Sequence, residues 1–373
     1  MKIAFDAKRA FQNRTGLGNY SRYVLSILCT YHRDEEYVAY APRMTDEPQM
    51  ERLLKEHECL KAAFPRKCLN TALWRIHGIS RDLKRDGIDI FHGLSGELPL
   101  TIHKTGIRSV VTIHDLIFLH FPKYYSLIDR HIYAYKMRRA CQMADKIVAI
   151  SECTKRDIVH FFDIKPEKIV VVYQGCDTAF QISDKGSLDE EVCKRYALPH
   201  RYILSVGSIE ERKNALALVR ALSLLPAEVH LVLVGKRTPY TTRVESEAAR
   251  LHVAERLHVL TNVPFSDLPS IYRQAQVFAY PSRYEGFGIP ILEAQRSGLP
   301  VVAATGSCLE EAGGKGALYI HPDDADAMAD ALQRLLYDEH LRKETMRFGQ
   351  QHLEQFNEQQ QANQLHQIYQ SLL

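Results

Sequence analysis

Two carboxylates, Glu285 and Glu293, stand in the stretch VFAYPSRYEGFGIPILEAQRSGLPVVA that runs from Val277 to Ala303. A carboxylate accepts two hydrogen bonds side by side, which suits the paired hydroxyls of a sugar or a ribose. Two of them, one on a loop and one on a helix, can hold two polyols. Read singly, each is also an ordinary solvated loop Glu or a helix Glu favoured by the macrodipole. Upstream, Gly207-Ser208-Ile209-Glu210-Glu211-Arg212-Lys213-Asn214 places two cations where a helix begins. The helix dipole disfavours cations there unless an anion joins them, and a local rule broken this way marks a phosphate site. His114-Asp115 follows the apolar run Ser109–Ile113. A histidine at the carboxyl end of a strand is better placed for chemistry than one on an apolar face. Gly16 and Gly18, in Arg14-Thr15-Gly16-Leu17-Gly18-Asn19, read either as turn chemistry or as the lip of a phosphate or sugar site.

The surrounding pattern alternates strands with helices. Val277–Tyr280 is a buried strand ending at Pro281, and Ser282–Gly288 is a glycine loop. Pro290 suits the first turn of a helix that Gly298 and Pro300 end before the next strand. Ile3–Phe5, Tyr37–Tyr40, Ile88–Gly93, Ser109–Ile113, Asp145–Ile150 and Lys168–Tyr173 read as strands of a front half. Tyr202–Val206, His230–Gly235 and Leu257–Leu260 open a back half, after a polar linker at Ser183–Glu191. Trp74 belongs to a core. The stretch Tyr124–Ala144 mixes Leu127, Ile128, Tyr133 and Met137 with Arg130, His131, Lys136, Arg138 and Arg139. It reads as a helix with one core face and solvated charges in preference to an interfacial helix. Three amphipathic helices, the last over 357–372, close the chain. Repeated alternation in both halves predicts an α/β protein with two doubly wound sheets.

At 373 residues the chain is long enough for two domains, and 46% hydrophobic with 25% charged residues is ordinary globular composition. No run has the length of a spanning helix, and the charged start MKIAFDAKRAF is a first strand and not a signal peptide. Eight cysteines without a C-x-x-C pair indicate neither a metal site nor a disulfide framework, hence reduced thiols and a cytoplasmic address. Residues 1–170 carry 28 Lys+Arg against 20 Asp+Glu, or +8, and the rest of the chain carries −5. A basic front half suggests an anionic partner, a phosphorylated acceptor or an anionic membrane surface, or else an ordinary solvated surface. The cations are dispersed and no nucleic-acid motif occurs, so nucleic acid is not expected.

The string Glu285-Gly286-Phe287-Gly288, with Pro290 and Glu293, resembles the Glu, seven residues, Glu motif of the retaining glycosyltransferases of family 4. Thr112-Ile113-His114-Asp115-Leu116 with Pro122 resembles that family's His-Asp segment, and Ser151-Glu152-Cys153-Thr154-Lys155 its helix opening. Gln174-Gly175-Cys176-Asp177 with Phe180 resembles its hinge turn, and 207–214 its phosphate loop. Ser208 departs from the many members that carry Arg there. The match is to the branch with an Arg-Lys-Asn run.

The resemblance implies the GT-B fold: two Rossmann-like domains facing each other across a cleft. They would be 1–180, joined by a returning helix over 357–373, and 181–356. It implies transfer of a hexose from a GDP- or UDP-linked nucleotide diphosphate sugar to a glycan or lipid-linked acceptor, with no cofactor and no metal. The Arg-Lys-Asn branch leans towards GDP-mannose and a mannosyltransferase. His114, Arg212, Lys213 and Glu285 would be catalytic. Gly16, Gly18, Val263, Gly286, Phe287, Gly288, Ile289 and Glu293 would bind the donor, Val263 by its position beside the nucleobase. A catalytically silent sugar-nucleotide sensor, or a related phosphorylase or epimerase, would share the fold. The His114 segment together with both carboxylates favours the enzyme.

Overall fold

The computed structural model describes every residue except 14, 66–69 and 183–185, and only the backbone of 187. The chain forms two compact units, Met1–Gln174 with Asn357–Leu373, and Gly175–Phe356. The division thus falls ahead of the expected boundary at 180, and the hinge-like turn Gly175–Asp177 opens the second unit.

The first unit holds a seven-stranded sheet. Its strands are β1 (Lys2–Asp6), β2 (Glu36–Tyr40), β3 (Leu60–Ala63), β4 (Ile90–Gly93), β5 (Arg108–Ile113), β6 (Lys146–Ala149) and β7 (Ile169–Val171). They lie in the order β3-β2-β1-β4-β5-β6-β7, all parallel, with Phe5 opposite Ala39 on one side and His92 on the other. The second unit repeats the plan with β8 (Tyr202–Val206), β9 (His230–Val234), β10 (Leu257–Leu260), β11 (Val277–Tyr280), β12 (Val301–Ala304) and β13 (Ala317–Ile320). Their order is β10-β9-β8-β11-β12-β13, again all parallel. Helices cover both faces of such sheets, so the strands are near-continuous apolar runs. Phe278 and Ala279 are fully buried, as are Val301 and Val302. Strand order reverses direction between β1 and β4 and between β8 and β11. Open parallel sheets bind ligands at such switch points, beyond the carboxyl ends of the strands.

One core joins Phe91, Ile147 and Ile158 with Trp74, whose indole Nε1 donates to Asp82 at 2.8 Å. Another packs Leu218 and Leu222 from the helix Ala215–Ser223 against Val277 and Leu332. Each such side chain contributes roughly 1.5–3 kcal/mol by leaving water. The final helix, Glu358–Gln370, packs on the helix Gly16–Tyr31. Tyr23 Oη donates to Gln361 Oε1 at 2.6 Å, and the rings of His32 and His366 stack 4.0 Å apart.

Several local expectations are corrected. Gly16 and Gly18 are not on a loop; they form the first turn of the helix Gly16–Tyr31. A short helix, Lys8–Gln12, precedes them, and a Cβ on Gly18 would meet the Asn13 carbonyl oxygen at 1.7 Å. Close backbone packing therefore requires glycine at 18. Arg14, in the same motif, lies outside the described residues. The linker at Ser183–Glu191 is helical from Gly186 to Arg195, because Asp189 turns inward to a two-pronged pair with Arg273 at 2.6 and 2.9 Å; residues 183–185 lie outside the description. The helix Leu127–Met143 does not bury a core face along its length. Leu127, Ile128, Ile132, Tyr133 and Tyr135 are exposed, and only Ala140 and Cys141 are buried. Its apolar residues are spread around the axis, so packing one side leaves the others in solvent.

Candidate active site

At the switch point of the second sheet, β11 ends at Tyr280 and the chain leaves as a loop. That loop carries Glu285 back towards the turn Glu211–Lys213 that follows β8. Glu285 Oε1 lies 2.8 Å from Lys213 Nζ and Oε2 lies 2.8 Å from Arg212 Nη1. Lys213 also donates to Tyr280 Oη at 2.5 Å, and Tyr280 Oη donates to Glu285 Oε1 at 3.2 Å. Arg212 also donates to the Tyr284 carbonyl at 2.6 Å and to Glu210 at 2.7 Å. Burial by itself would raise the Glu285 pKa, but Lys213 first and then Arg212 hold it down to about 2. Burial likewise works against the charged forms of Lys213 and Arg212, yet Glu285 lifts both above their ordinary values. Burial, then Glu285, pushes Tyr280 up to about 12. All three charges are therefore kept at neutral pH. The anion that the two cations called for is Glu285 itself.

The local sequence explains this placement. Asn214 adopts φ 58° and so ends the turn before the helix Ala215–Ser223 starts. Its amide donates to the Pro322 carbonyl at 2.6 Å, which anchors the turn. Gly288, at φ 134°, occupies a region that L residues rarely adopt, and a Cβ there would press on Ala312 and Leu309 at 3.1 Å. Beneath the loop, the buried Cys308 thiol lies 2.7 Å from the Phe287 carbonyl and 3.0 Å from that of Glu285, and donates to them. A pocket lined by Gly207, Ser208, Lys213 and Tyr280 opens beside the pair.

Glu293 lies within the helix Ile289–Arg296 and makes a separate contact, accepting from Tyr272 Oη at 2.8 Å. Burial chiefly, with some help from Asp177, pushes its pKa up to about 7, against the Tyr272 hydrogen bond. Ile289 and Pro290 form the first turn of that helix. Val263, half-buried, follows Asn262 (φ 55°) on the loop after β10 and has no polar side chain to contribute.

In the first unit His114 follows β5 directly. Its Nε2 donates to the Leu94 carbonyl at 2.8 Å, which fixes the proton there and leaves Nδ1 as an acceptor. Burial, with a smaller push from Arg9, lowers its pKa to about 4, so the ring is neutral at pH 7. The Tyr20 ring meets it edge-on at 4.6 Å. Thr154 Oγ1 donates to the His114 carbonyl at 3.2 Å, while Ser151 caps the same helix by accepting from Thr154 N. Behind them, the buried neutral His92 bridges Tyr369 Oη at 2.7 Å and Thr112 Oγ1 at 2.9 Å. Gly16 and Gly18 bring only backbone to this region.

The structure thus joins Arg212, Lys213 and Glu285, and places Glu293 on a neighbouring helix with a partner of its own. The residues not anticipated are Tyr280, Glu210, Cys308, Tyr272 and Thr154. Tyr280 was legible as the last residue of a strand in a switch-point position. Cys308, Tyr272 and Thr154 act through contacts distant in sequence, whereas Glu210 meets Arg212 two residues on.

Residues 194–352 match the family Glycosyl transferases group 1, and residues 21–180 match Glycosyltransferase Family 4. The chain is 30% identical over 372 residues to the O-antigen chain mannosyltransferase B of Escherichia coli, covering 96% of each. A glycosyltransferase from Rickettsia africae superposes with a TM-score of 0.77 at 19% identity, over 100% of this chain and 98% of that one. Anabaena HepE, solved in complex with UDP and glucose, superposes with a TM-score of 0.75 at 18% identity, over 100% of both. These two likenesses bear on the fold alone. Together with the near full-length relative, they show that the chain belongs to the family-4 glycosyltransferases, enzymes of the GT-B fold.

Proposed function

We propose that the chain transfers mannose from GDP-mannose to a glycan or lipid-linked acceptor, with retention of anomeric configuration and without a metal ion or cofactor. The observation that carries this reading is Glu285 at the β8–β11 switch point, charged and gripped by Lys213 and Arg212. When the donor binds, its diphosphate takes over part of the two cations' hydrogen bonding and Glu285 turns to the hexose hydroxyls. The O-antigen mannosyltransferase relative supports mannose as the sugar. The UDP and glucose of the HepE structure support a nucleotide-sugar donor.

In the step proposed, an acceptor hydroxyl oxygen bonds to the anomeric carbon on the face from which the diphosphate departs. The sugar–phosphate C–O bond breaks, its electron pair stays on the leaving phosphate, and the hydroxyl proton passes to that phosphate. Lys213 and Arg212 neutralise the charge that develops there. Glu285 positions the hexose and does not attack it. Gly286, Phe287, Gly288 and Ile289 line its approach, Glu293 takes the ribose hydroxyls, and Val263 lies by the base. His114, neutral with Nδ1 open, accepts from a sugar hydroxyl, and Gly16 and Gly18 allow backbone approach.

Reduced thiols and a cytoplasmic location are part of this reading; none of the seven described cysteines is in a disulfide. No helix among the described residues is long and apolar enough to cross a membrane. The exposed Leu127, Ile128 and Ile132, interleaved with Arg130 and Lys136, support peripheral contact with an anionic membrane face. A thermal-shift panel of nucleotide sugars tests the donor: GDP-mannose should raise the melting temperature most, since a ligand that binds only the folded state stabilises it. No shift with any nucleotide sugar would defeat the reading, and a larger shift with UDP-glucose would replace its donor.

A further inference from the structure

Tyr280 ends β11, and all four residues of that strand are buried. A phenylalanine would fill the position without taking a hydroxyl out of water, which is unfavourable unless new hydrogen bonds replace those to solvent. The partners that Tyr280 Oη has among the described residues are the two opposite charges of the site. It accepts from Lys213 Nζ at 2.5 Å and donates to Glu285 Oε1 at 3.2 Å, while Lys213 Nζ and Glu285 Oε1 lie 2.8 Å apart. Burial, and then Glu285, push the phenol pKa up to about 12, so the hydroxyl keeps its proton at neutral pH. It can therefore accept from the ammonium and donate to the carboxylate at once.

An ammonium has three N–H donors, and this triangle engages two of those on Lys213. The third is left for a ligand in the pocket that Lys213 lines with Gly207, Ser208 and Tyr280. The two groups that hold the ammonium differ in how firmly they are themselves held. Tyr280 belongs to the sheet: it lies opposite Ala303 of β12, and its ring stacks on Phe278 at 5.8 Å. Glu285 stands on the loop between β11 and the helix Ile289–Arg296. When Glu285 turns to the hexose, Tyr280 is the partner that Lys213 keeps. We infer that Tyr280 is a positioning residue of the transfer reaction, its hydroxyl fixing the Lys213 ammonium so that a free N–H meets the leaving diphosphate while Glu285 is occupied with the sugar. The diphosphate and the sugar rest on the glycosyltransferase reading; the hold on Lys213 does not.

The test is calorimetric titration of the full-length protein with inorganic pyrophosphate, alongside the rate of GDP-mannose hydrolysis. Tyr280→Phe keeps the ring and its stacking on Phe278 and removes the hydroxyl alone. It should weaken pyrophosphate binding at least about tenfold, the scale of one hydrogen bond to a charged group, and slow hydrolysis by at least as much. The control Tyr319→Phe, which loses a hydroxyl bound to the Gly314 carbonyl at 2.8 Å, should change neither. In a Lys213→Ala background, or in Lys213→Met, which keeps the apolar stem, adding Tyr280→Phe should have no further effect. A residue that acts through Lys213 falls silent once the ammonium is gone, whereas a merely structural hydroxyl is missed equally in every background. Equal losses with and without Lys213, or wild-type pyrophosphate affinity in Tyr280→Phe, would overturn the assignment. Hydrolysis of GDP-mannose by the wild type tests the glycosyltransferase reading separately. Tyr280-dependent pyrophosphate binding without any hydrolysis would defeat that reading and sustain the hold on Lys213; hydrolysis with Tyr280-independent binding would do the reverse.

Discussion

Lys213 and Arg212 share one carboxylate, and that sharing sets the chemistry of the site. Glu285 keeps its charge only because both cations lie 2.8 Å away, and burial makes the attraction stronger than it would be in water. Lys213→Ala should lower kcat by roughly a hundredfold or more, the usual cost of a lost electrostatic donor. Steady-state rates with GDP-mannose check this, and a fully active Lys213→Ala would remove the cation from the mechanism. Glu293 behaves in the opposite way. Its folded pKa of about 7 lies above the ordinary 4.5, so the folded state binds more protons between those values. Stability from the protonated form is complete below about 4.5 and is lost as pH rises through about 7. Glu293→Gln should therefore stabilise the fold relative to wild type on the alkaline side of that range and have little effect on the acid side, read from urea unfolding midpoints. Donor affinity should follow the carboxylate and tighten as pH rises through about 7, since only that form accepts from both ribose hydroxyls. A pH-independent Kd in wild type would deny Glu293 this role.

The loop that carries Glu285 is held by a few backbone choices. Gly288 takes φ 134° where a Cβ would crowd Ala312 and Leu309, and Cys308 ties down the carbonyls on either side of Gly286. Gly288→Ala should cost roughly 1–3 kcal/mol of stability, the price of a strained backbone, and should lower turnover at temperatures where the protein stays folded. Denaturant unfolding and rate assays measure the two, and wild-type values in both would mean that the loop does not depend on glycine. Much of this element was legible in the sequence. The strand Val277–Tyr280, the proline in the first turn and the helix end at Gly298 were set by local patterns of apolar residues, proline and glycine, and they stand where expected. What could not be read was long-range. The turn to which Glu285 pairs is far away in sequence, and no periodicity signals Cys308 beneath the loop. Asp189 made Ser183–Glu191 look like polar linker because its partner Arg273 belongs to another helix. Gly16 and Gly18 misled for a related reason: the contact that demands glycine at 18 is with the carbonyl of Asn13, in a turn that hydropathy does not mark. The helix Leu127–Met143 failed because apolar residues distributed around an axis look like a buried face when only their number is weighed.

The whole chain repeats one plan twice, a parallel sheet reversing direction once, and each reversal gathers charge. In the second unit the charges are paired around Glu285; in the first, Arg75 pairs with Asp6 and Glu97, and Lys136 with Glu97. The central claim is that this chain moves a hexose from a nucleotide diphosphate with retention, Glu285 positioning and not attacking. The most direct measurement is proton NMR of GDP-mannose incubated with the wild type and with Glu285→Gln, recorded before released mannose can mutarotate. The account predicts loss of the donor anomeric signal, a first product of the same anomeric configuration, and strongly slowed turnover in Glu285→Gln. An inverted first product, or a covalent mannosyl adduct on Glu285, would contradict it.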